Sequence, residues 1–473
     1  MYYRLQDTFV LRGWEKLNTV LVERPQNRMT VLRNHEFNLL MLCDGETEFS
    51  KLPLSEEEKA TLMQFQQKGI VTAVDTPTPL NADQQYHMYP NRFVKSCFWS
   101  VTGRCNFRCR HCYLDAPEGA LGELSHEEAL ALIDQMADCG VLKVDITGGE
   151  PFVRKDFWQL VDYLLSHQIT VGMVYSNGRL LTDEVLDAFE QRGLKPGFSI
   201  SFDGLGWHDW MRGVKGAEEA ALDALARCKR RSFYANVEMC LHRGNIGVIR
   251  ETFRKLAEIG VEDVKCSNVS LTPLWKQNSE GNALNRQEFT DAMLAYIPQY
   301  FEDGMPLSLI VCDVITLKKG STEYGVVAEK RDGTEACLDC HLCGAARSSC
   351  YISPDGRMLP CMPMTACEEQ IQFPKFQEVG LRKGLSDGFY MQFVDSRVRD
   401  LLAVNEKCNA CEHKLVCAGG CRAAALEQTG ELMGPDLTQC FLWENGYIEK
   451  IHRAADEGIA RYRKKQEGKQ HEN

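Results

Sequence analysis

The chain has 473 residues, too many for one ordinary hydrophobic core, so two or three domains are expected. Its 54 basic against 66 acidic residues give a net charge of -12, which disfavours binding a polyanion through bulk electrostatics, so no nucleic-acid partner is expected. No apolar run approaches the roughly 20 residues that cross a bilayer, and the opening MYYRLQDTFVLRGWEKL lacks a signal-peptide core, so a cytoplasmic protein without a membrane partner is expected.

Residues 1–90 alternate short β-like runs, TFVLRG and TVLVER, with a helical stretch HEFNLLMLCDG and a second one in SEEEKATLMQFQQKGIVTAV. Ser55 and Glu58 read as a capping box opening the second helix. The polar, proline-punctuated bridge NADQQYHMYPN reads as a linker, so this is a small domain able to stand apart.

Residues 95–320 hold six β-like segments, SCFWSVTG, LKVDITGG, TVGMVYSNG, PGFSISFDG, YANVEMCLH and VEDVKCSNV, with amphipathic helices between them. Ser125 with Glu128 caps one helix, and Asp156 precedes another. Strand-to-helix units in series predict an α/β fold whose parallel sheet curves into a partial (β/α)6 TIM-like barrel, with functional groups on the loops after the strands.

Residues 330–445 lose this periodicity and carry eleven of the 21 cysteines, between Cys337 and Cys440. A large chain without an export signal uses such cysteines for metal or redox chemistry, and bound metal would fix a region so poor in apolar periodicity. Cys43, Cys139, Cys228, Cys240 and Cys312 read as scattered buried thiols. Residues 446–473 read as a charged helix fraying into a disordered tail.

The segment CNFRCRHCY places Cys105, Cys109 and Cys112 directly after the first barrel strand. Three thiolates on a four-iron cluster leave one iron open; the alternative is zinc, with His111 as fourth ligand. This CxxxCxxC run followed by Tyr113 resembles the signature of the radical S-adenosylmethionine superfamily. Gly148, Gly149, Glu150 and Pro151 resemble that family's GGEP motif, whose carbonyls and acidic side chain receive the methionine ammonium group. Ser176 and Asn177, then Ser201 and Asp203, resemble its ribose-binding positions at the next two strand ends. Arg212 in HDWMRG resembles the arginine of its H-D-x-x-R-G run, which pairs with the cofactor carboxylate, a task suited to guanidinium geometry. The resemblance implies a [4Fe-4S] cluster, S-adenosylmethionine as cofactor, and an electron donor such as flavodoxin or ferredoxin.

Cys343, Gly356 and Cys361 fit C-x12-G-x4-C, followed by Cys408, Cys411, Cys417 and Cys421 as CxxCx5CxxxC and then by Cys440. This resembles the SPASM domain of peptide-modifying radical enzymes, and implies two auxiliary clusters. Cys343, Cys361 and Cys421 would hold the nearer one, and Cys408, Cys411, Cys417 and Cys440 the farther one. Cys350 is the candidate fourth ligand of the nearer site, with Cys337 and Cys340 as alternatives; Cys367 has no assigned role. The residue after Cys361 is Met362, with no carboxylate adjacent, unlike the base expected of a sulfatase-type maturase.

The N-terminal domain resembles the winged-helix RiPP recognition element, which takes a leader peptide as an added strand, and TVLVER is the candidate edge. Together the resemblances imply a maturase that reaches a precursor peptide through its leader and forms a thioether crosslink. A carbon–carbon crosslink, a sulfatase-type protein substrate or a haem-pathway substrate are the alternatives.

Overall fold

A computed structural model describes residues 1–92, 94–114, 119, 121–269, 272–367 and 370–471. The N-terminal part contains β1 (Tyr2–Leu5), β2 (Phe9–Trp14), β3 (Leu17–Glu23), β4 (Arg28–Val31), α1 (Asn34–Leu42), β5 (Asp44–Glu48), α2 (Glu56–Gln67), β6 (Val71–Val74) and β7 (His87–Tyr89). Two small sheets result, in strand orders β5-β1-β6 and β4-β3-β2-β7. The first closes with α1 and α2 over Leu5, Leu39, Leu40, Leu62, Phe65 and Val71. The predicted capping box starts α2, Ser55 Oγ accepting from Glu58 N at 3.2 Å and Glu58 accepting from Ser55 N at 2.8 Å.

Three expectations need correction here. TVLVER lies in β3, which is paired on one side with β2 and on the other with β4, so its backbone groups are already used and it is not an edge. The bridge is not a free linker, because His87–Tyr89 adds to β2 as a parallel strand. Nor does the domain stand apart from the barrel. Trp14 Nε1 donates to the Gly140 carbonyl at 3.2 Å, and the Asn27 amide donates to those of Leu142 (2.8 Å) and Gln168 (2.7 Å).

The central unit follows as β8 (Ser96–Ser100), α3 (His126–Asp138), β9 (Lys143–Thr147), α4 (Phe157–Ser166), β10 (Thr170–Ser176), α5 (Asp183–Gln191), β11 (Gly197–Ser201), α6 (His208–Arg212), α7 (Ala217–Arg230), β12 (Ala235–Leu241), α8 (Ile249–Ile259), β13 (Asp263–Asn268), α9 (Pro273–Asn278), α10 (Arg286–Glu302), β14 (Ser308–Val311), β15 (Ile315–Leu317) and β16 (Tyr324–Val326). All six predicted strands pair in parallel and in chain order from β8 to β13, and β14 adds a seventh that the sequence reading missed. Helices cover the sheet through apolar stripes such as Ile249, Phe253 and Leu256 on α8. Ser125 and Glu128 form the predicted box on α3. Asp156 stands at the N-cap of α4, but its carboxylate accepts from Arg154 and His126 instead of the helix backbone.

The cysteine-rich region is joined to this sheet. Its strand β17 (Ser349–Ile352) runs parallel to β8, and β18 (Met358–Leu359) follows it antiparallel, completing eleven strands in the order β16-β15-β14-β13-β12-β11-β10-β9-β8-β17-β18. At the C-terminus one helix, Tyr447–His471, reaches the end of the described residues. Ile448, Ile451, Ala455 and Ile459 bury a stripe in the main core, and Gly458 lets the helix approach α10, where a Cβ would meet Phe301 at 2.8 Å. Glu472 and Asn473, part of the predicted tail, lie outside the described residues.

Candidate active site

The loop after β8 carries Cys105, Cys109 and Cys112, and backbone pairing fixes it on two sides. On one side Gly149 N donates to Thr102 O (2.8 Å) and Glu150 N to Arg104 O (2.9 Å). Gly148 makes this approach possible, since at φ +151° a Cβ there would lie 2.6 Å from Thr102 O. On the other side Arg108 N and Arg110 N donate to the carbonyls of Arg212 and Met211 at 3.2 and 2.9 Å, packed over Gly213. The first two predicted motifs and the HDWMRG run are thereby brought to one place.

Glu150 is fully buried and accepts from Ser176 Oγ at 3.0 Å on both oxygens, from Asn177 N at 2.8 Å and from Phe152 N at 3.4 Å. Burial pushes its carboxyl up to about 7, the hydrogen bonds working in the opposite direction. Pro151 opens the short helical turn Pro151–Val153 and is buried. Asn177 also points its amide at the cysteine loop, 2.7 Å from Asn106 Oδ1 and 3.9 Å from Cys105 Sγ.

Ser201 ends β11, and two residues on the buried Asp203 takes a bidentate grip from Arg212, Nε at 2.6 Å and Nη2 at 3.0 Å. The Arg212 atom Nη1 faces Cys109 Sγ at 3.8 Å. Burial opposes charge on Asp203, but Arg212, His208 and His111 override it and hold the carboxylate well below its ordinary range. Two of the three guanidinium nitrogens are thus engaged within the protein, and one edge of Arg212 is left towards the cysteine loop.

Burial raises the Cys105 thiol to about 12 and also raises that of Cys109, against which Arg212 acts. Such thiols become good ligands where a metal offsets the charge burial disfavours. A zinc ion with Zn–S near 2.3 Å would need sulphurs about 3.8 Å apart. Among the described residues, the ligand-type trio within 4.8 Å is His111, Asp203 and Cys240, not the cysteine triad. His111 is thus grouped with Asp203 and Cys240, and a triad whose sulphurs do not all lie within 4.8 Å of one another suits a multi-iron cluster. Tyr113 is 44% exposed, and its hydroxyl donates to the Met362 sulphur at 3.4 Å.

In the C-terminal region the cysteines form two groups. Cys361, raised first by burial, has Cys421, Cys343 and Cys367 as charge neighbours. Cys408, likewise raised by burial, has Cys440 and Cys411; Cys417, raised by burial to about 11, has Cys440. Cys350 is buried on β17 in register with Cys97 of β8, and shares Tyr390 as a neighbour with Cys343 and Cys361. All twenty-one cysteines are free.

The sequence reading missed Asp436 and Arg422. Asp436 accepts from Cys421 N at 2.7 Å and caps the helix Leu437–Glu444 that carries Cys440, so one carboxylate ties a member of each group. A capping Asp ahead of LTQC was a readable signal. Arg422 is buried and donates to the carbonyls of Leu432, Gly434 and Gly419, holding the loop between them; nothing in its sequence context marks it.

Comparison with known proteins gives a family match over part of the chain. The Radical SAM superfamily matches residues 99–259, from β8 to α8. An AdoMet-dependent heme synthase of Methanosarcina barkeri is 26% identical over 341 residues, covering 71% of this chain and 93% of that protein. A PqqA peptide cyclase of Gluconobacter oxydans is 24% identical over 362 residues, covering 76% and 93%. In fold, the chain is similar to Streptococcus suis SuiB, solved bound to S-adenosylmethionine, with a TM-score of 0.61 at 15% identity, covering 92% of this chain and 99% of that one. The same protein bound to its precursor peptide SuiA gives 0.60 at 14% identity, covering 93% and 99%.

Proposed function

This chain is a radical SAM superfamily enzyme, and from that premise we propose that it matures a ribosomally made peptide, joining a cysteine sulphur to a carbon of another residue. The observation that carries the reading is the convergence of Glu150, Ser176, Asn177, Asp203 and Arg212 around the loop of Cys105, Cys109 and Cys112. When bound there, S-adenosylmethionine and a reduced [4Fe-4S] cluster supply a 5'-deoxyadenosyl radical that removes hydrogen from the substrate.

The chain's own groups then divide the work. Glu150, held by Ser176 and the Asn177 backbone, receives the ammonium group of the cofactor, with the Gly148 and Gly149 backbone beside it. The Nη1 edge of Arg212 receives its carboxylate, and Asp203 keeps the guanidinium fixed. Asn177, Ser201 and Tyr113 line the remaining space. Cys343, Cys361 and Cys421, and Cys408, Cys411, Cys417 and Cys440, hold two auxiliary iron–sulfur clusters that carry electrons for a net oxidation, with flavodoxin or ferredoxin as the external donor.

The N-terminal domain acts as the leader-binding element. With β3 paired on both sides, the edge strands are β4 and β7 of one sheet and β5 and β6 of the other. Tethering a leader there raises the local concentration of the core peptide to the order of mM. PqqA peptide cyclase and SuiB, each acting on or binding a peptide, support a peptide substrate.

A haem-pathway substrate is the second reading, favoured by the heme synthase likeness. Anaerobic assays with a cognate precursor decide between them: mass loss of two hydrogens per crosslink, dependent on the leader, is expected, whereas turnover of a metalloporphyrin without peptide modification would overturn the peptide reading.

A further inference from the structure

The nearer auxiliary group has three cysteines in hand and needs a fourth thiolate if every iron is to carry one. Cys350, the natural candidate by spacing, is buried in the β8–β17 strand pair, where its partner in register is Cys97. Cys337 donates to Asp332 Oδ1 at 3.0 Å, and Cys340 packs with Cys408 against Leu342, Val398 and Leu401, on the side of the farther group.

Cys367 is placed differently. The short helical turn Met362–Cys367 begins at Cys361, with Met364 N donating to Cys361 O at 3.1 Å, and carries the chain back to the helix Arg422–Thr429 that starts after Cys421. There the buried Cys367 Sγ lies 3.7 Å from the Ala423 carbonyl, two residues from Cys421. Cys361 and Cys367 therefore flank one turn whose two ends both face the start of that helix. We infer that Cys367 joins Cys343, Cys361 and Cys421 as the fourth thiolate of the nearer auxiliary cluster, an assignment that rests on the auxiliary-cluster reading above. In accord with it, the charge neighbours of the Cys367 thiol, itself raised mainly by burial, are Glu427 and Cys421.

The test uses the full chain with Cys105→Ala, Cys109→Ala and Cys112→Ala, loaded anaerobically with iron-57 and sulfide, so that bound iron belongs to the C-terminal sites. It should hold about eight irons in two four-iron clusters and give no three-iron EPR signal on mild ferricyanide oxidation, because each iron has its thiolate. Adding Cys367→Ala should remove about half the iron or produce that three-iron signal. Cys367→Ser, close in size, should retain the iron and shift the Mössbauer parameters of one iron of the cluster, separating ligand loss from misfolding. Cys337→Ala, Cys340→Ala and Cys350→Ala should each leave iron content and EPR silence unchanged. A three-iron signal with Cys367 intact, an unchanged Mössbauer spectrum in Cys367→Ser, or iron loss in one of the other three variants overturns the assignment. A background protein that takes up no iron sinks the auxiliary-cluster reading itself, and this assignment with it.

Discussion

The Tyr113 hydroxyl donates to the Met362 sulphur across 3.4 Å, so the residue after Cys112 touches the residue after Cys361. Two cysteine loops that are about 250 residues apart in the chain share one wall, and both side chains stay partly open, at 44% and 38% exposure. Tyr113→Phe removes the O–H···S contact, a weak one, together with the hydroxyl's hydrogen bonding towards Tyr351 and Thr147, so thermal stability should fall by about 1 kcal/mol. What should change is coupling: the ratio of 5'-deoxyadenosine to modified peptide should rise about two- to fivefold, measured by chromatography of both products in one reaction. An unchanged ratio would make the contact incidental.

Glu150 gives a pH dependence with a definite sign. Its carboxyl, raised to about 7 by burial, is protonated in the free protein at lower pH and must lose that proton to receive an ammonium group. Between pH 7.0 and 5.5 the ionised fraction falls from about one half to about 3%, so the dissociation constant for S-adenosylmethionine should rise roughly fifteenfold. Burial leaves His111 and His242 neutral, at about 3 and about 4, so neither titrates in that window. Calorimetry across this range should give a flat, weak profile for Glu150→Gln.

The Asp203–Arg212 pair is inside the protein, so removing one partner strands the other's charge. Asp203→Ala should destabilise the fold by about 3–5 kcal/mol, the usual consequence of breaking a buried pair. Pairing it with Arg212→Ala should recover part of that loss, as expected for contacting residues. Urea unfolding of the two single variants and the double variant measures the coupling; simple additivity would mean that the pair is not a mutual charge partner.

Asn27 ties the N-terminal domain to the barrel through two carbonyls, those of Leu142 and Gln168. Asn27→Ala leaves the Gln168 carbonyl short of a donor, at about 1–3 kcal/mol when buried, while the Leu142 carbonyl keeps the one from Thr170 N at 3.1 Å. Domain docking should loosen first, seen as faster amide exchange in residues 20–31 and 140–170 with iron content unchanged. Peptide modification should fall while cofactor cleavage without peptide persists.

The alternating strands and helices of the central unit were legible because buried parallel strands advertise themselves as apolar runs with glycine-rich ends, and β9 with Gly148 and Gly149 is an example. The convergence of Glu150, Ser176, Asn177, Asp203 and Arg212 was legible for the same reason: each sits at a strand end or on the helix after it. Pairing partners were not. TVLVER reads equally well as an edge or an interior strand, since period-two apolarity says which face is buried and nothing about how many neighbours a strand has. Likewise SSCYIS showed no sign of joining the barrel, because the strand it pairs with lies far away in sequence. The C-terminal helix was legible but its docking was not, because its charges outnumber a stripe of Ile451, Ala455 and Ile459 that needs α10 to become an interior.

The parallel pairing of β17 with β8 also sets an order of events during synthesis. Residues 96–100 leave the ribosome long before 349–352, so β8 must wait with one edge unpaired while the rest of the barrel assembles beside it. At about 5–20 residues per second that interval is on the order of tens of seconds, long enough for an exposed edge to find another chain. The same strand that shields the edge is bracketed by Cys343 and Cys361, so if these cysteines take up the proposed cluster, loading of the cysteine-rich region and closure of the barrel would fall together in time. On that proposal, shortage of iron or sulfide should show up as aggregation of full-length protein before it shows up as lost catalysis.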